Sequence, residues 1–118
     1  MLNAAEITKT GNQAKLRTGV SWTLQGAAAD LADGDYTVAI RPHHVLPIRH
    51  DANDVALNGI VQVTELSGSE SSAHFQMGTD GWVSLSPGVH PYEVGEDHQF
   101  FMDANKAFYF APDGRLVA

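Results

Sequence analysis

Apolar and polar residues alternate at a period of two along most of this sequence. The segments 20–24, 36–41, 72–77 and 82–85 all show the pattern. Successive side chains of a β-strand point to opposite faces, so this alternation indicates short strands that each bury one face. Pairs of residues that favour tight turns separate the segments: Gly11-Asn12, Asp33-Gly34, Asn58-Gly59, Asp80-Gly81, Pro87-Gly88 and Asp113-Gly114.

The pattern predicts eight to ten short strands and almost no helix. The only helix-like segment is 25–32, and Gly26 and its short length limit it to a turn or two. Asn58-Gly59 is either a turn or a bulge inside a longer strand, because apolar alternation resumes directly after it. Short strands and frequent turns indicate an all-β fold, either a closed or half-closed barrel or a small sandwich.

The length of 118 residues allows one domain or two very small β modules. Periodicity is weak over residues 43–54, which separate a first β segment, 1–42, from a second, 55–118. This stretch is either a long surface loop of one barrel or the link between two β subdomains that exchange strands.

The charge balance narrows the choice of partner. Seven Lys and Arg stand against 14 Asp and Glu, for a net charge of -7, and residues 50–118 carry ten of the acids and only two of the bases. Nucleic acid and anionic membrane surfaces both require clustered cations, so neither is an expected partner. No signal peptide and no membrane-spanning segment is expected.

The residues also argue against an enzyme or a metal protein. The sequence has no cysteine, which excludes disulfides and cysteine-ligated zinc and fits a reducing, cytoplasmic location. The six histidines include no pair spaced i and i+2 or i and i+4, so no metal site is predicted. Neither a phosphate-binding Gly-x-x-x-x-Gly-Lys loop nor a Gly-x-Ser-x-Gly elbow is present.

A set of short motifs occurs in a characteristic order: Ile40-Arg41-Pro42, Gly59 to Val61, Glu65-Leu66, Gly68 with Glu70, Val94-Gly95, Phe110, and Gly114 to Leu116. This set resembles the C-terminal TOBE (transport-associated OB) region of ATP-binding subunits of ABC importers of the maltose and glycerol-3-phosphate type. Leu2-Asn3 resembles the point where the ATPase core of that family passes into its regulatory domain, so the resemblance covers nearly the whole chain. Two features depart from the family pattern. His43 stands where the family usually has a glutamate, and Ser67 lengthens the Glu-Leu-Gly step by one residue.

The resemblance implies one OB-like domain over 1–118, or two intertwined β subdomains, with a regulatory and non-catalytic role. It implies the parent ATPase core and a second copy of the subunit as partners, with regulatory proteins or small effectors as further candidates. The location implied is the cytoplasm, peripheral to the inner membrane. ATP and magnesium would belong to the ATPase domain of the parent, so no cofactor is expected within these 118 residues. The implied cargo is a sugar or a solute like glycerol 3-phosphate.

Six residues are candidates for binding or regulation: Arg41, Pro42, His43, Glu65, Gly68 and Glu70. Pro42 cannot donate to a β ladder and favours an extended Arg41, so a strand is expected to end here at a barrel rim. The planar guanidinium of Arg41 suits a carboxylate such as Glu65 or Glu70, or else an effector or a protein partner. Gly68 is expected to supply a turn with positive φ, and Glu70 to begin the next strand.

A function of a different class is a self-standing β-barrel that binds a small ligand. It requires a cavity within the monomer and a natural chain that starts at Met1.

Overall fold

A computed structural model describes all residues 1–118 and contains ten strands and three single-turn 3-10 helices. The strands are β1 (Asn3–Thr10), β2 (Gln13–Leu16), β3 (Ser21–Thr23), β4 (Gly34–Ile40), β5 (Val45–Leu46), β6 (Val55–Ser67), β7 (Glu70–Met77), β8 (Asp80–Pro87), β9 (Asp97–Met102) and β10 (Phe108–Phe110). The 3-10 turns are Gly26–Ala28, Pro42–His44 and Ala104–Lys106. The predicted all-β class is confirmed, and the helix-like segment forms only the first of these short turns.

The strands form two five-stranded antiparallel sheets. The first sheet has the order β10-β4-β1-β2-β3, and the second has the order β5-β9-β6-β7-β8. Because β10 pairs with β4 across Phe108↔Ala39, the end of the chain returns to the sheet built by its beginning. None of the helical turns has the length and apolar character needed to cross a membrane.

The second sheet curls until its two edge strands approach each other. The Ser84 hydroxyl of β8 donates to the Val45 carbonyl of β5 at 2.6 Å, so the sheet closes almost into a barrel. Both edges of an open sheet would expose unpaired backbone groups, and this closure protects them. The connecting residues 43–54 contain β5 itself, so part of this stretch belongs to the barrel wall.

Side chains of β1 and β8 join the two sheets. The Asn3 amide donates to the Val83 carbonyl and accepts from the Val83 N–H, each at 2.8 Å. The Trp82 indole donates to the Ala4 carbonyl at 3.0 Å. A single core of 20 buried residues therefore runs through both sheets.

A glycine in β6 makes room for the centre of this core. Phe75 of β7 stacks on Phe100 of β9 with ring centroids 4.1 Å apart, and both rings are fully buried. A Cβ at Gly59 would overlap the Phe75 ring and approach the Gln76 carbonyl oxygen at 3.1 Å. The absence of a side chain at this position is thus a packing requirement of the aromatic stack.

The Asn58-Gly59 pair is neither a turn nor a bulge. Asn58 pairs with Gln99 and Gly59 with His98 in regular register, and β6 continues through both residues. The register against β7 shifts instead between Val61 and Val63, a few residues further along. The prediction of a longer strand is confirmed, whereas the bulge expected at Asn58-Gly59 was wrong in position because Gly59 serves to admit the Phe75 ring.

We expect Gly59→Ala to lower the free energy of unfolding by about 1–3 kcal/mol, because the new methyl group overpacks a core whose aromatic rings have no room to move. Urea denaturation of the unchanged protein and of Gly59→Ala measures the difference in free energy of unfolding.

Gly81→Ala is the matched control. Apart from the adjacent residues, the nearest atom to a Cβ at this position would be Gln76 Oε1 at an ordinary contact distance of 3.6 Å. An equal loss of stability in both variants would show that strand glycines, and not the Phe75 contact, cause the effect.

Candidate functional site

The Arg41–His43 segment forms a corner where β4 leaves the first sheet. Arg41 is extended, with φ of -69° and ψ of 143°, and Pro42 opens the second 3-10 turn. Proline fits the first position of a helical turn because its fixed φ is suitable and no N–H is needed there. The predicted end of the strand at this rim is confirmed.

Arg41 lies over an aromatic ring and pairs with no carboxylate. Its guanidinium carbon is 5.2 Å from the centre of the Phe108 ring of β10. The chain has two side-chain ion pairs, Lys9–Asp33 and Arg17–Glu6, and a His43–Glu70 contact that is ionic only when His43 is protonated. The expected pair of Arg41 with Glu65 or Glu70 was therefore wrong. The reason is topological: β10 lies next to β4 in the first sheet, whereas both glutamates belong to the second sheet.

The side chain that contacts Glu70 is His43 and not Arg41. Its Nε2 atom lies 3.6 Å from Glu70 Oε2, and the two side chains are 59% and 46% exposed. The contact links the second 3-10 turn to the first residue of β7. Such an exposed pair stabilises a fold little, so both groups are available to a partner.

Glu65 and Gly68 lie on the hairpin formed by β6 and β7. Gly68 has φ of +60° in the turn that precedes Glu70, which confirms the expected turn and the start of the next strand. Glu65 pairs with Ser72 and Ser67 pairs with Glu70, so the two glutamates are diagonal neighbours on one face of the hairpin.

The same face continues onto β8. Ser72 is opposite Leu85, and His74 is opposite Val83. An open depression of about 380 Å³ lies between this part of β8 and the corner, lined by Met1, Arg41, Pro42, His43, Val83 and Leu85. We call this surface, made of the Arg41–His43 corner, Glu65, Glu70, Val83 and Leu85, the rim surface.

His43 also borders a second depression, which we call the histidine pocket. It has a volume of about 300 Å³ and is lined by His43, Leu46, Pro47, Ile48, His50, Ser86, Pro87 and His90. Backbone carbonyls engage one ring nitrogen of two of these histidines: His50 Nδ1 is 2.8 Å from Ile48 O, and His90 Nε2 is 3.1 Å from Pro87 O. No three histidine or acidic side chains in the chain are arranged to hold a metal ion.

Tyr92 lies next to His90 of this pocket, with ring centroids 6.2 Å apart, and belongs to an aromatic cluster. Its ring lies 5.2 Å from that of His98 and 5.8 Å from that of Phe100. Burial raises the pKa of the Tyr92 hydroxyl, and the nearby Ser86 and Ser84 hydroxyls reduce that rise. Tyr92 and Ser86 lie near each other without hydrogen-bond geometry between them.

The sequence pattern did not identify the β8 residues of the rim surface or the residues that join the sheets. Val83 and Leu85 look like ordinary strand residues, and only the curl of the second sheet brings them to the corner. Asn3 was the one weak signal in the sequence for the residues that join the sheets. It is a polar residue that the structure buries at the start of β1, and a buried polar side chain requires hydrogen-bond partners.

The residues that form the rim surface lie largely within a region shared with known proteins. The family model of the TOBE domain matches residues 38–110, which include the Arg41–His43 corner, both glutamates and β10. This chain belongs to the TOBE domain family.

Two individual proteins resemble this TOBE chain. The maltose/maltodextrin import ATP-binding protein MalK of Photorhabdus laumondii is 34% identical over 80 residues, which are 66% of this chain and 21% of MalK. The chain thus spans about a fifth of the length of that relative. The solved structure of the cytoplasmic molybdate-binding protein ModG, with molybdate bound, superposes with a TM-score of 0.65 over 93% of this chain and 96% of ModG, at 18% identity. The ModG likeness establishes the shared fold.

We expect His43→Ala and Glu70→Ala each to change the free energy of unfolding by less than about 0.5 kcal/mol, because the pair is exposed to solvent. Asn3→Ala serves as the contrast and should cost about 1–3 kcal/mol, since it leaves both backbone groups of Val83 without their partner. Urea denaturation measures all three. A loss of more than 1 kcal/mol in His43→Ala would show that the pair is structural.

Alkaline pH should destabilise the protein through the half-buried Tyr92 and the buried Tyr109. Burial raises the pKa of Tyr92 and of Tyr109 above the ordinary value of 10.0, and the indole N–H that Tyr109 accepts from Trp22 reduces the rise. The folded state therefore holds these protons more tightly than the unfolded chain does. The free energy of unfolding should fall as pH rises above about 10 and through the folded-state pKa values.

Urea titrations at a series of alkaline pH values test this. Tyr92→Phe and Tyr109→Phe should each make the decline shallower, whereas Tyr36→Phe, whose hydroxyl is exposed and donates to Ala32 O, should not. If the free energy of unfolding declined identically in the unchanged protein and in all three variants, groups other than these tyrosines would cause the loss.

Proposed function

We propose that this TOBE chain is the C-terminal regulatory domain of the ATP-binding subunit of an ABC importer. The observation that carries the proposal is the family match over residues 38–110 together with the similarity to MalK, whose name describes an import ATP-binding protein. The domain comprises 1–118, with a first β segment 1–42, a connection 43–54 and a second β segment 55–118. The parent protein then acts in the cytoplasm, attached to the inner membrane through its transporter.

The rim surface supports a role in protein contacts. It combines apolar side chains of Val83 and Leu85 with an Arg41 guanidinium that no carboxylate of the chain engages. Arg41 presents a planar set of donors held over Phe108, which suits an incoming carboxylate. We propose that this surface contacts either the parent ATPase core or the second copy of the subunit, and thereby supports dimerisation and regulation of the ATPase.

The departures at the rim bear on how such contacts are made. His43 replaces a glutamate that is usual in the family, and it faces Glu70 across the corner. The rim therefore presents an Arg-Pro-His corner beside two glutamates, which fits a partner surface carrying charges of both signs.

The chemistry that the parent performs lies outside these residues. ATP and magnesium would bind in the ATPase domain of the parent, and no residue of this chain is assigned a catalytic role. The proposed cargo is a sugar or a solute like glycerol 3-phosphate, which fits the maltose and maltodextrin import named for MalK.

The natural polypeptide that carries this sequence tests the proposal. We expect mass spectrometry of protein from the source cells to find a chain about three times as long, with a Gly-x-x-x-x-Gly-Lys-Ser/Thr peptide upstream. The 118-residue protein alone should hydrolyse no ATP above the rate in buffer. A natural chain of 118 residues without that peptide would remove the link to an ATPase.

A small-ligand-binding barrel is the second candidate, favoured by one observation. Ser86 lines the histidine pocket, and its buried hydroxyl has no partner in hydrogen-bond geometry, so a ligand could satisfy it. ModG, which shares the fold, binds molybdate. Equilibrium dialysis of the 118-residue protein with molybdate, and with sulfate as the control anion, would support this candidate if molybdate alone bound stoichiometrically.

A further inference from the structure

A third cavity lies on the side of the molecule built by the first sheet. It is an open pocket bordered by β3, β10, the first and third 3-10 turns and the last residue of the chain, and its volume is about 190 Å³. We call it the alanine pocket, because five of its eleven lining residues are alanines: Ala27, Ala28, Ala104, Ala107 and Ala118. The other six are Trp22, Thr23, Leu24, Gln25, Asn105 and Tyr109, none of which belongs to the rim surface or the histidine pocket.

A hydrogen-bonded pair of aromatic residues is buried at this cavity. The Trp22 indole N–H donates to the Tyr109 hydroxyl oxygen at 3.1 Å, and the two residues are only 6% and 4% exposed. The Tyr109 hydroxyl therefore acts as an acceptor toward Trp22 and keeps its own proton. No protein group accepts that proton, so the buried hydroxyl is a donor without a partner in the protein. Because burial raises the pKa of Tyr109, the hydroxyl stays protonated across the physiological range.

The other polar groups at the cavity are amides and a hydroxyl. The side-chain amides of Gln25 and Asn105 form no hydrogen bond within the protein, and each offers both donors and an acceptor. Thr23 Oγ1 accepts from Gln13 Nε2 at 2.7 Å and keeps its proton to donate. No lining residue has a charged side chain.

The groups that line the alanine pocket favour one class of ligand. An anionic ligand would lose part of its hydration, meet no cationic side chain and lie near the C-terminal carboxylate that Ala118 carries in the 118-residue protein, so the lining disfavours anions. A purely apolar ligand would leave the buried Tyr109 proton unpaired, whereas the exposed Gln25 and Asn105 amides would still bind water. The volume corresponds to about six water molecules, which is too small for anything larger than a single ring.

We propose that the alanine pocket is a binding site for an uncharged polyhydroxylated molecule no larger than a monosaccharide, with the Tyr109 hydroxyl donating to one of its oxygens. The alanine methyl groups and the Trp22 ring contact the apolar face of the ligand, and Gln25 and Asn105 bind its outer hydroxyls. The site belongs to this chain alone, so it holds whether or not the chain is part of a transporter.

Nuclear magnetic resonance provides the test, because the chain has two tryptophans in different surroundings. The Trp22 indole N–H lies at the pocket, whereas the Trp82 indole N–H donates to Ala4 O at the join between the sheets. The 118-residue protein is titrated with D-glucose, D-mannitol and glycerol up to about 10 mM, roughly tenfold above a 1 mM dissociation constant. Glucose 6-phosphate is the charged counterpart of glucose.

We expect at least one uncharged probe to shift the Trp22 indole resonance saturably while the Trp82 resonance stays fixed. Glucose 6-phosphate should not shift it. The proposal is overturned if no uncharged probe shifts Trp22, if both indoles move together, or if glucose 6-phosphate binds as well as glucose.

Variants assign the binding to the pocket. Tyr109→Phe should weaken the affinity about fivefold by removing one neutral hydrogen bond, and Tyr36→Phe is the matched control with an exposed hydroxyl. Ala107→Leu should abolish binding by filling the cavity without touching the Trp22–Tyr109 bond, so it decides the matter if Tyr109→Phe does not fold. Unchanged affinity in Ala107→Leu would place the ligand elsewhere and overturn the proposal.

Discussion

The contact between β1 and β8 is the interaction on which the rest of the architecture depends. A side-chain amide of Asn3 replaces a neighbouring strand by bonding both backbone groups of Val83, and the Trp82 indole adds a third bond to Ala4. Because this contact places the sheets against each other, 20 residues share one core, and β10 can return to the first sheet.

The position of the rim surface follows from this contact. With β8 anchored at Val83, its next residues lie beside the corner where Pro42 ends β4. The corner and the β6–β7 hairpin come from distant parts of the chain, and the His43–Glu70 contact is the point where their charged side chains meet. An exposed surface built in this way contributes little to stability, which leaves its residues free to serve recognition.

The sequence predicted the strands well because alternation and turn chemistry are local properties. The ends of β4 at Pro42 and of β6 before Gly68 follow from backbone preferences of proline and glycine that any fold must respect. The motif order also led to the TOBE family. The Arg41 ion pair failed for the opposite reason, since pairing with a carboxylate depends on which strand becomes the neighbour of β4.

The sequence alone determined the all-β class, the approximate number of strands and the family, since all of these rest on periodicity, turn residues and ordered motifs. Only the tertiary structure decided that Gly59 admits the Phe75 ring, that Arg41 lies over Phe108, and that Trp22 and Tyr109 meet across 87 positions. The first contact depends on how two neighbouring strands pack, and the other two join strands far apart in the chain. The side-chain pattern of one strand contains no information about which other residues will face it.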